Sequence, residues 1–146
     1  MTGEILTILL VEDNDDHAEL VMRSFDDHRV ANRIIRVSDG EAAINYLFNE
    51  GEFTDRNKNP LPNLILLDLR LPKVDGLEVL TKIKTSEELR KVPVVVLTSS
   101  EAEKDITKSY SNYVNSYLVK PLDFDKFTRM MNELGFYWLG WNKKPF

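Results

Sequence analysis

Five side chains that could hold a metal ion and a phosphoryl group follow short apolar runs of this sequence. They are Glu12, Asp13, Asp68, Thr98 and Lys120. Three carboxylates brought close together repel one another, so a cation should compensate them. Oxygen ligands without a thiol or a nearby imidazole suit Mg²⁺ better than Zn²⁺. The residue types therefore predict a magnesium site among carboxylates.

A carboxylate beside such an ion can also act as a nucleophile toward phosphorus. Asp68 directly follows a run of leucine and isoleucine at residues 64–67. Lys120, as a mobile point charge, and Thr98, as a hydroxyl donor, could stabilise the oxygens of an added phosphoryl group. Together these residue types predict phosphoryl transfer to an aspartate.

The elements that must bring these residues together alternate between short strands and amphipathic helices. Brief runs rich in Val and Ile predict strands, and apolar residues at helical spacing predict helices. The expected order is β1 at about 5–11, α1 14–28, β2 33–37, α2 39–50, β3 63–67, α3 75–85, β4 92–97, α4 101–112, β5 115–119 and α5 123–134. Five βα units predict an α/β fold with a doubly wound parallel sheet and helices on both faces. Ligands of such sheets bind beyond the carboxyl ends of the strands, where all five side chains would lie.

Local signals mark two helix starts and one long loop. Ser38 and Glu41 have the spacing of a capping box at the start of α2, and Asn14 is placed to cap α1. Residues 49–62 are polar and contain Gly51, which predicts a long loop before β3.

Length and charge limit the class of protein. The 146 residues suit one domain. A balance of 19 Lys+Arg against 24 Asp+Glu gives a net charge of −5, which argues against a nucleic-acid-binding groove. The absence of Cys excludes thiol nucleophiles and thiolate-bound metals. No apolar run reaches the ~20 residues of a membrane span, and the start lacks the basic region of a signal peptide. We therefore expect a cytoplasmic protein without membrane contact.

Four motifs in this order resemble the receiver domain of two-component response regulators. The motifs are LVEDN at 10–14, LLDLRLPKVDG at 66–76, VLTS at 96–99 and YLVKP at 117–121, and the resemblance spans roughly residues 5–134. It implies a flavodoxin-like fold of five parallel strands in the order 2-1-3-4-5. The receiver domain would occupy residues 1–134, and an aromatic C-terminal extension would occupy residues 135–146.

The resemblance implies specific roles for the acidic residues. Asp68 would be the phosphoacceptor. The ligands of Mg²⁺ would be Glu12, Asp13, Asp68 and the backbone carbonyl of Arg70. Glu12 stands where an Asp is commoner in the family, and its longer side chain could reach the metal through water.

The resemblance also implies a switch at the ends of β4 and β5. Thr98 and Lys120 would contact the phosphoryl group. Thr98 would move toward the added oxygens, and Tyr117 would turn into the space it leaves. The Lys120–Pro121 peptide bond is expected to be cis.

A further implication is a stand-alone response regulator rather than an enzyme, because it would catalyse at most its own phosphorylation and dephosphorylation. A partner histidine kinase would phosphorylate Asp68 with Mg²⁺ as the cofactor. Protein–protein contacts through the α4–β5–α5 face would carry the output. The long loop before β3 and the aromatic extension are similar to those of small stand-alone regulators that pair with phytochrome-type histidine kinases.

The extension at 135–146 is rich in aromatic side chains. Of the 14 aromatic residues in the chain (2 Trp, 5 Tyr and 7 Phe), this segment holds five: Phe136, Tyr137, Trp138, Trp141 and Phe146. Exposed aromatic surface more often marks an interface. We expect a contact in a homodimer or with the kinase; the alternative is that the segment folds back onto its own sheet.

Two other kinds of protein would share part of this pattern. A Mg²⁺-dependent phosphatase of the haloacid-dehalogenase type also uses a nucleophilic Asp after a strand. It needs a second Asp two residues later, where this sequence has Arg70. A receiver-like module that binds a partner without being phosphorylated would lack the Asp, the Thr or the Lys, and all three are present.

Overall fold

A parallel β-sheet forms the centre of the molecule. The computed structural model describes residues 6–27, 32–68, 76–98 and 116–119, together with 125, 126 and 129. The strands are β1 (Leu6–Val11), β2 (Asn32–Val37), β3 (Leu64–Asp68), β4 (Val94–Thr98) and β5 (Ser116–Val119), in the order β2-β1-β3-β4-β5. The predicted α/β class, its parallel sheet and the order of the first four strands are confirmed, and β5 lies beside β4 in parallel register.

Helices pack on both faces of this sheet. The described helices are α1 (Asp15–Asp27), α2 (Gly40–Leu47) and α3 (Gly76–Lys84). Alternate residues of the strands point to opposite faces, so Leu10 and Leu66 pack in the apolar cluster that contains α1. Leu9 and Leu67 pack in the cluster that contains α2 and α3. The central strands are apolar at nearly every position because both of their faces are covered.

The start and end of α2 differ from the predicted ones. Asp39, not Ser38, is its N-cap, since the Asp39 carboxylate accepts a hydrogen bond of 2.8 Å from the Ala42 N–H. The predicted capping box was therefore wrong by one residue. The helix ends at Leu47 rather than at residue 50, because Asn49 takes a left-handed conformation with φ of 55°.

The predicted loop before β3 is tied to the core at several points. It contains a short 3-10 helix, Gly51–Phe53. The buried Tyr46 donates its hydroxyl proton to the Pro60 carbonyl at 2.7 Å. Arg56 donates to the carbonyl of Leu47 at the end of α2, at 3.0 Å. These contacts hold the loop in place beside α2.

The remaining boundaries concern the second half of the chain. β4 begins at Val94 rather than at residue 92; the Pro93 carbonyl, just before it, accepts a hydrogen bond from the Ile65 N–H at 3.0 Å. The predicted α4 (101–112), α5 (123–134) and extension (135–146) lie outside the described residues, apart from 125, 126 and 129, which are helical. No helix in the described part of the chain has the length and apolar character needed to cross a membrane.

Candidate functional site

Strand register places the predicted acidic residues at one edge of the sheet. Val11, the last residue of β1, pairs with Leu67, so Glu12 follows β1 where Asp68 ends β3. Asp68 in turn pairs with Leu97, one residue before the end of β4. The carboxyl ends of three neighbouring strands therefore meet at this edge, as predicted.

Three carboxylates converge there. Glu12, Asp13 and Asp68 each offer an oxygen, and these oxygens all lie within 4.8 Å of one another. Glu12 is fully buried and Asp68 is 5% exposed, whereas Asp13 is exposed. The cluster thus combines two buried acids with one at the surface, which leaves one side open to solvent.

The electrostatics of this cluster favour a cation. At 4.8 Å, two carboxylates in a medium of effective dielectric constant about 20 repel by about 3.5 kcal/mol. Glu12 and Asp68 are buried, so this repulsion is screened less than it would be between exposed carboxylates. Three oxygen donors with one open side fit Mg²⁺, which binds one or two carboxylates and keeps several waters. The residues present therefore fit a hard divalent cation.

The loop that carries two of the acids is held by the backbone of its neighbours. The Glu12 N–H donates to the Val37 carbonyl at 3.1 Å, and the Glu12 carboxylate accepts from the Asn14 N–H at 3.2 Å. Asn14 accepts from the His17 N–H at 3.0 Å through its side chain, which confirms the predicted cap of α1. Asn14 thus satisfies the start of α1, and the carboxylates of Glu12 and Asp13 lie in the cluster.

Two side chains near the cluster were not assigned a role from the sequence. The His17 Nδ1 atom lies 3.9 Å from a Glu12 carboxylate oxygen, with nearly half of the imidazole exposed, so the expectation that no imidazole lies near the acids was wrong. The ligand atoms that converge within 4.8 Å are nevertheless all carboxylate oxygens. Arg36 donates from Nε to the Glu12 carbonyl at 3.0 Å and pairs with Asp15 at 2.7 Å. For Arg36, the sequence offered one indication: it is a charged residue within the apolar run of β2, close to the carboxyl end of that strand.

The other predicted site residues are placed by their backbone or lie outside the described residues. Thr98 ends β4 and pairs with Val119 of β5, while Tyr117 pairs with Val96. Their backbones therefore lie on adjacent strands, with Thr98 at the same edge as the acids. Lys120, Pro121 and Arg70 lie outside the described residues, so their predicted roles stay predictions.

Comparison with curated proteins finds relatives along nearly the whole chain. The probable methanogenesis regulatory protein FilR2 of Methanothrix harundinacea is 53% identical over 139 residues, which covers 94% of this chain and 86% of that protein. The response regulator Rcp1 of Synechocystis is 42% identical over 132 residues, covering 90% of this chain and 88% of Rcp1.

Solved structures give the same relationship. The bacteriophytochrome response regulator RtBRR has a TM-score of 0.85 at 45% identity, covering 97% of this chain and 84% of RtBRR. The Mn²⁺-bound form of Rcp1 has a TM-score of 0.73 at 40% identity, covering 97% and 99%. The phosphorylated cyanobacterial phytochrome response regulator RcpA has a TM-score of 0.74 at 38% identity, covering 92% and 94%.

A family model, that of the response regulator receiver domain, matches residues 8–132. This range contains both segments of the acidic cluster and all five strands except the first two residues of β1. The match, the relatives and the parallel sheet agree with the resemblance carried by the four motifs. The chain therefore belongs to the response regulator receiver domain family.

Proposed function

We propose that Asp68 accepts a phosphoryl group from a partner histidine kinase and that the chain acts as a switch in a two-component system. The observation that carries this proposal is the convergence of Glu12, Asp13 and Asp68 within 4.8 Å at the carboxyl edge of the sheet. Because Asp68 ends a fully buried strand, its carboxylate is held in place on a rigid element.

In the proposed reaction, a carboxylate oxygen of Asp68 attacks phosphorus as the bond to the donor's leaving group breaks. Mg²⁺ held by Glu12, Asp13 and Asp68 would neutralise charge on the transferring oxygens. The exposed Asp13 side chain marks the side from which a donor can approach. Thr98, at the end of β4, and Lys120, after β5, would contact the added phosphoryl oxygens.

Two relatives support the choice of cofactor and modification. Rcp1 binds Mn²⁺, a divalent ion that takes oxygen ligands like those of this cluster. RcpA is known in a phosphorylated form. We propose Mg²⁺ as the ion for this chain, with the Arg70 backbone carbonyl as a further ligand and a cis Lys120–Pro121 bond next to the site.

The output is proposed to pass through the face formed by α4, β5 and α5. Thr98 and Tyr117 belong to adjacent paired strands, which supports coupling between the phosphoryl site and β5. A phosphoryl group adds about −1.5 to −2 charge at pH 7 and would draw Thr98 toward it. Tyr117 would then turn inward and change the face that a partner or a second copy of the chain contacts. The aromatic extension at 135–146 is proposed to contribute to that contact.

The proposed kinase is of the phytochrome type. RtBRR and RcpA, both similar along more than nine-tenths of this chain, are response regulators of phytochromes. The proposed chemistry is limited to the phosphorylation and dephosphorylation of Asp68, so we do not propose that the chain acts as an enzyme on other molecules. A cytoplasmic location would place it with such a kinase.

Intact-mass measurement tests the proposal. The chain is incubated with acetyl phosphate in the presence of Mg²⁺ or of excess chelator. We expect a gain of one phosphoryl group only with Mg²⁺, and none for Asp68→Asn. Asp55→Asn, an exposed acid in the loop before β3, is the matched control and should be modified like the wild type. Absence of the adduct from the wild type, or an undiminished adduct on Asp68→Asn, would overturn the proposal.

A further inference from the structure

Arg36 connects the edge strand β2 to the loop that carries two of the clustered acids. Its side chain is 24% exposed, and its Nε atom donates to the Glu12 carbonyl at 3.0 Å. Its Nη1 atom lies 2.7 Å from a carboxylate oxygen of Asp15. One guanidinium therefore contacts the backbone immediately before Asp13 and the first residue of α1, two positions after Asp13.

These contacts restrain the short segment between β1 and α1. A third restraint comes from the same strand, because the Glu12 N–H donates to the Val37 carbonyl at 3.1 Å. Arg36 thus supplies two of these three links from β2 to Glu12 and the start of α1. A rotation of the loop that moved the Asp13 carboxylate out of the cluster would have to stretch or break them.

The contacts of Arg36 with Glu12 and Asp15 contribute little to the stability of the folded protein. Asp15 is 88% exposed, so its pair with Arg36 is screened by solvent and adds little to the free energy of unfolding. The Arg36 Nη2 atom is buried and has no hydrogen-bond partner among the residues that the structure describes, which is a cost. The main consequence of the arrangement is the position of the loop.

We infer that Arg36 is a positioning residue for the divalent-cation site, an inference that rests on the function proposed above. Mg²⁺ demands near-octahedral geometry, so small displacements of Glu12 or Asp13 weaken its binding. Groups that orient metal ligands typically change metal affinity 10- to 100-fold when they are removed. The planar fork of Arg donates to the two acceptors from separate nitrogens in a fixed geometry, whereas the Lys ammonium is a point charge on a flexible stem.

The positive charge of Arg36, taken alone, would weaken Mg²⁺ binding rather than support it. A guanidinium near a cation site repels the cation, so removing it would strengthen Mg²⁺ binding if repulsion dominated. The Asp15 carboxylate at 2.7 Å offsets the charge of Arg36, which leaves positioning as its principal effect. The direction of the change in affinity therefore separates the two effects.

The test measures Mg²⁺ affinity on the full chain by isothermal titration calorimetry. The free energy of unfolding is measured in parallel with and without saturating Mg²⁺, because binding to the folded state raises it by an amount set by the affinity. The variants are Arg36→Met and Arg36→Lys. Arg23→Met is the matched control, since Arg23 forms an exposed pair with Glu19 within α1.

We expect Arg36→Met to bind Mg²⁺ at least tenfold more weakly and to lose most of the Mg²⁺-dependent stabilisation. Arg36→Lys should lose less, and Arg23→Met should match the wild type. Unchanged or tighter Mg²⁺ binding in a folded Arg36 variant would overturn the inference, even if its metal-free stability falls. If Arg36→Met does not fold, Arg36→Lys decides the outcome by the same criterion.

The wild type separates this inference from the function on which it rests. A wild type that neither binds Mg²⁺ nor accepts a phosphoryl group would overturn both. A wild type that does both, beside Arg36 variants that bind Mg²⁺ equally well, would overturn only the role of Arg36.

Discussion

The exposed Asp13 shows how one charge affects the whole acidic cluster. Its carboxylate lies with those of Glu12 and Asp68, which are both buried. A cation at this site would turn mutual repulsion into attraction, so Asp13 would destabilise the metal-free protein and stabilise a metal-bound one. We therefore expect the loss of this charge to weaken cation binding and to raise the stability of the metal-free protein.

We expect Asp13→Asn to raise the metal-free free energy of unfolding by roughly 0.5 kcal/mol, a value reduced by solvent screening at this exposed position. The same change should reduce the stabilisation that Mg²⁺ produces. Asp16→Asn is the control, because Asp16 lies in the first turn of α1, where a negative charge favours the helix. Chemical denaturation without metal should show opposite signs for the two variants; a loss of stability in Asp13→Asn would contradict this account.

Tyr46 makes stability depend on pH at the alkaline end. Burial raises the pKa of its hydroxyl above the ordinary 10.0, although Arg33 and Arg56 act in the lowering direction. The folded pKa is the higher one, so the contribution of the neutral hydroxyl is fully present below pH 10.0. It is lost as the pH rises through the folded pKa.

The difference in unfolding free energy between the wild type and Tyr46→Phe should therefore shrink above pH 10.0. At neutral pH the variant should be about 1 kcal/mol less stable, because the Pro60 carbonyl loses its hydrogen bond. Denaturant titrations at a series of pH values would measure this. A difference that stays constant across that range would show that the hydroxyl does not titrate as argued.

At the scale of elements, the N-cap of α2 depends on one side chain. The Asp39 carboxylate accepts from the Ala42 N–H at 2.8 Å, and its backbone is extended, as an N-cap requires. Asp39→Ala should cost about 1 kcal/mol of unfolding free energy. Ser38 is exposed, so Ser38→Ala should change the unfolding free energy little. Thermal or denaturant unfolding of the two variants measures both effects. A larger loss in Ser38→Ala than in Asp39→Ala would show that Ser38 is the N-cap.

The sequence left this cap ambiguous for a physical reason. Ser and Asp are both good N-caps, and only the spacing from Ser38 to Glu41 favoured the first. By contrast, β3 was predicted within one residue at each end, because an apolar run buried on both faces has few other interpretations. The end of α2 was missed because it depends on the left-handed conformation of Asn49, whose side-chain amide donates a hydrogen bond to the Phe53 carbonyl in the short 3-10 helix that follows.

The candidate site was predictable to the extent that strand ends determine it. Glu12, Asp13 and Asp68 were expected to converge because parallel strands bring their carboxyl ends to one edge. Arg36 was not expected, since its bond to the Glu12 carbonyl joins residues 24 apart and depends on β2 lying beside β1. Periodicity identifies a strand, but it does not tell which loop a charged side chain on that strand will reach.

At the scale of the whole molecule, two apolar clusters on either side of the sheet hold the site edge in place. Leu66 is fully buried in the cluster that contains α1, while Leu20 on the same helix is 51% exposed. Leu66→Ala should cost about 3 kcal/mol, and Leu20→Ala less than about 0.5 kcal/mol. Comparable losses in denaturant unfolding would mean that the core is not organised around the sheet as described.

Asp68, among all the acids of this chain, is the residue proposed to receive the phosphoryl group. The most direct measurement is to phosphorylate the chain with acetyl phosphate and Mg²⁺, reduce the acyl phosphate with borohydride, and locate the reduced residue by tandem mass spectrometry. We expect the product at residue 68 alone, and none when Mg²⁺ is removed. A product at Asp13 or at any other acid, or one that forms equally without Mg²⁺, would contradict the proposal.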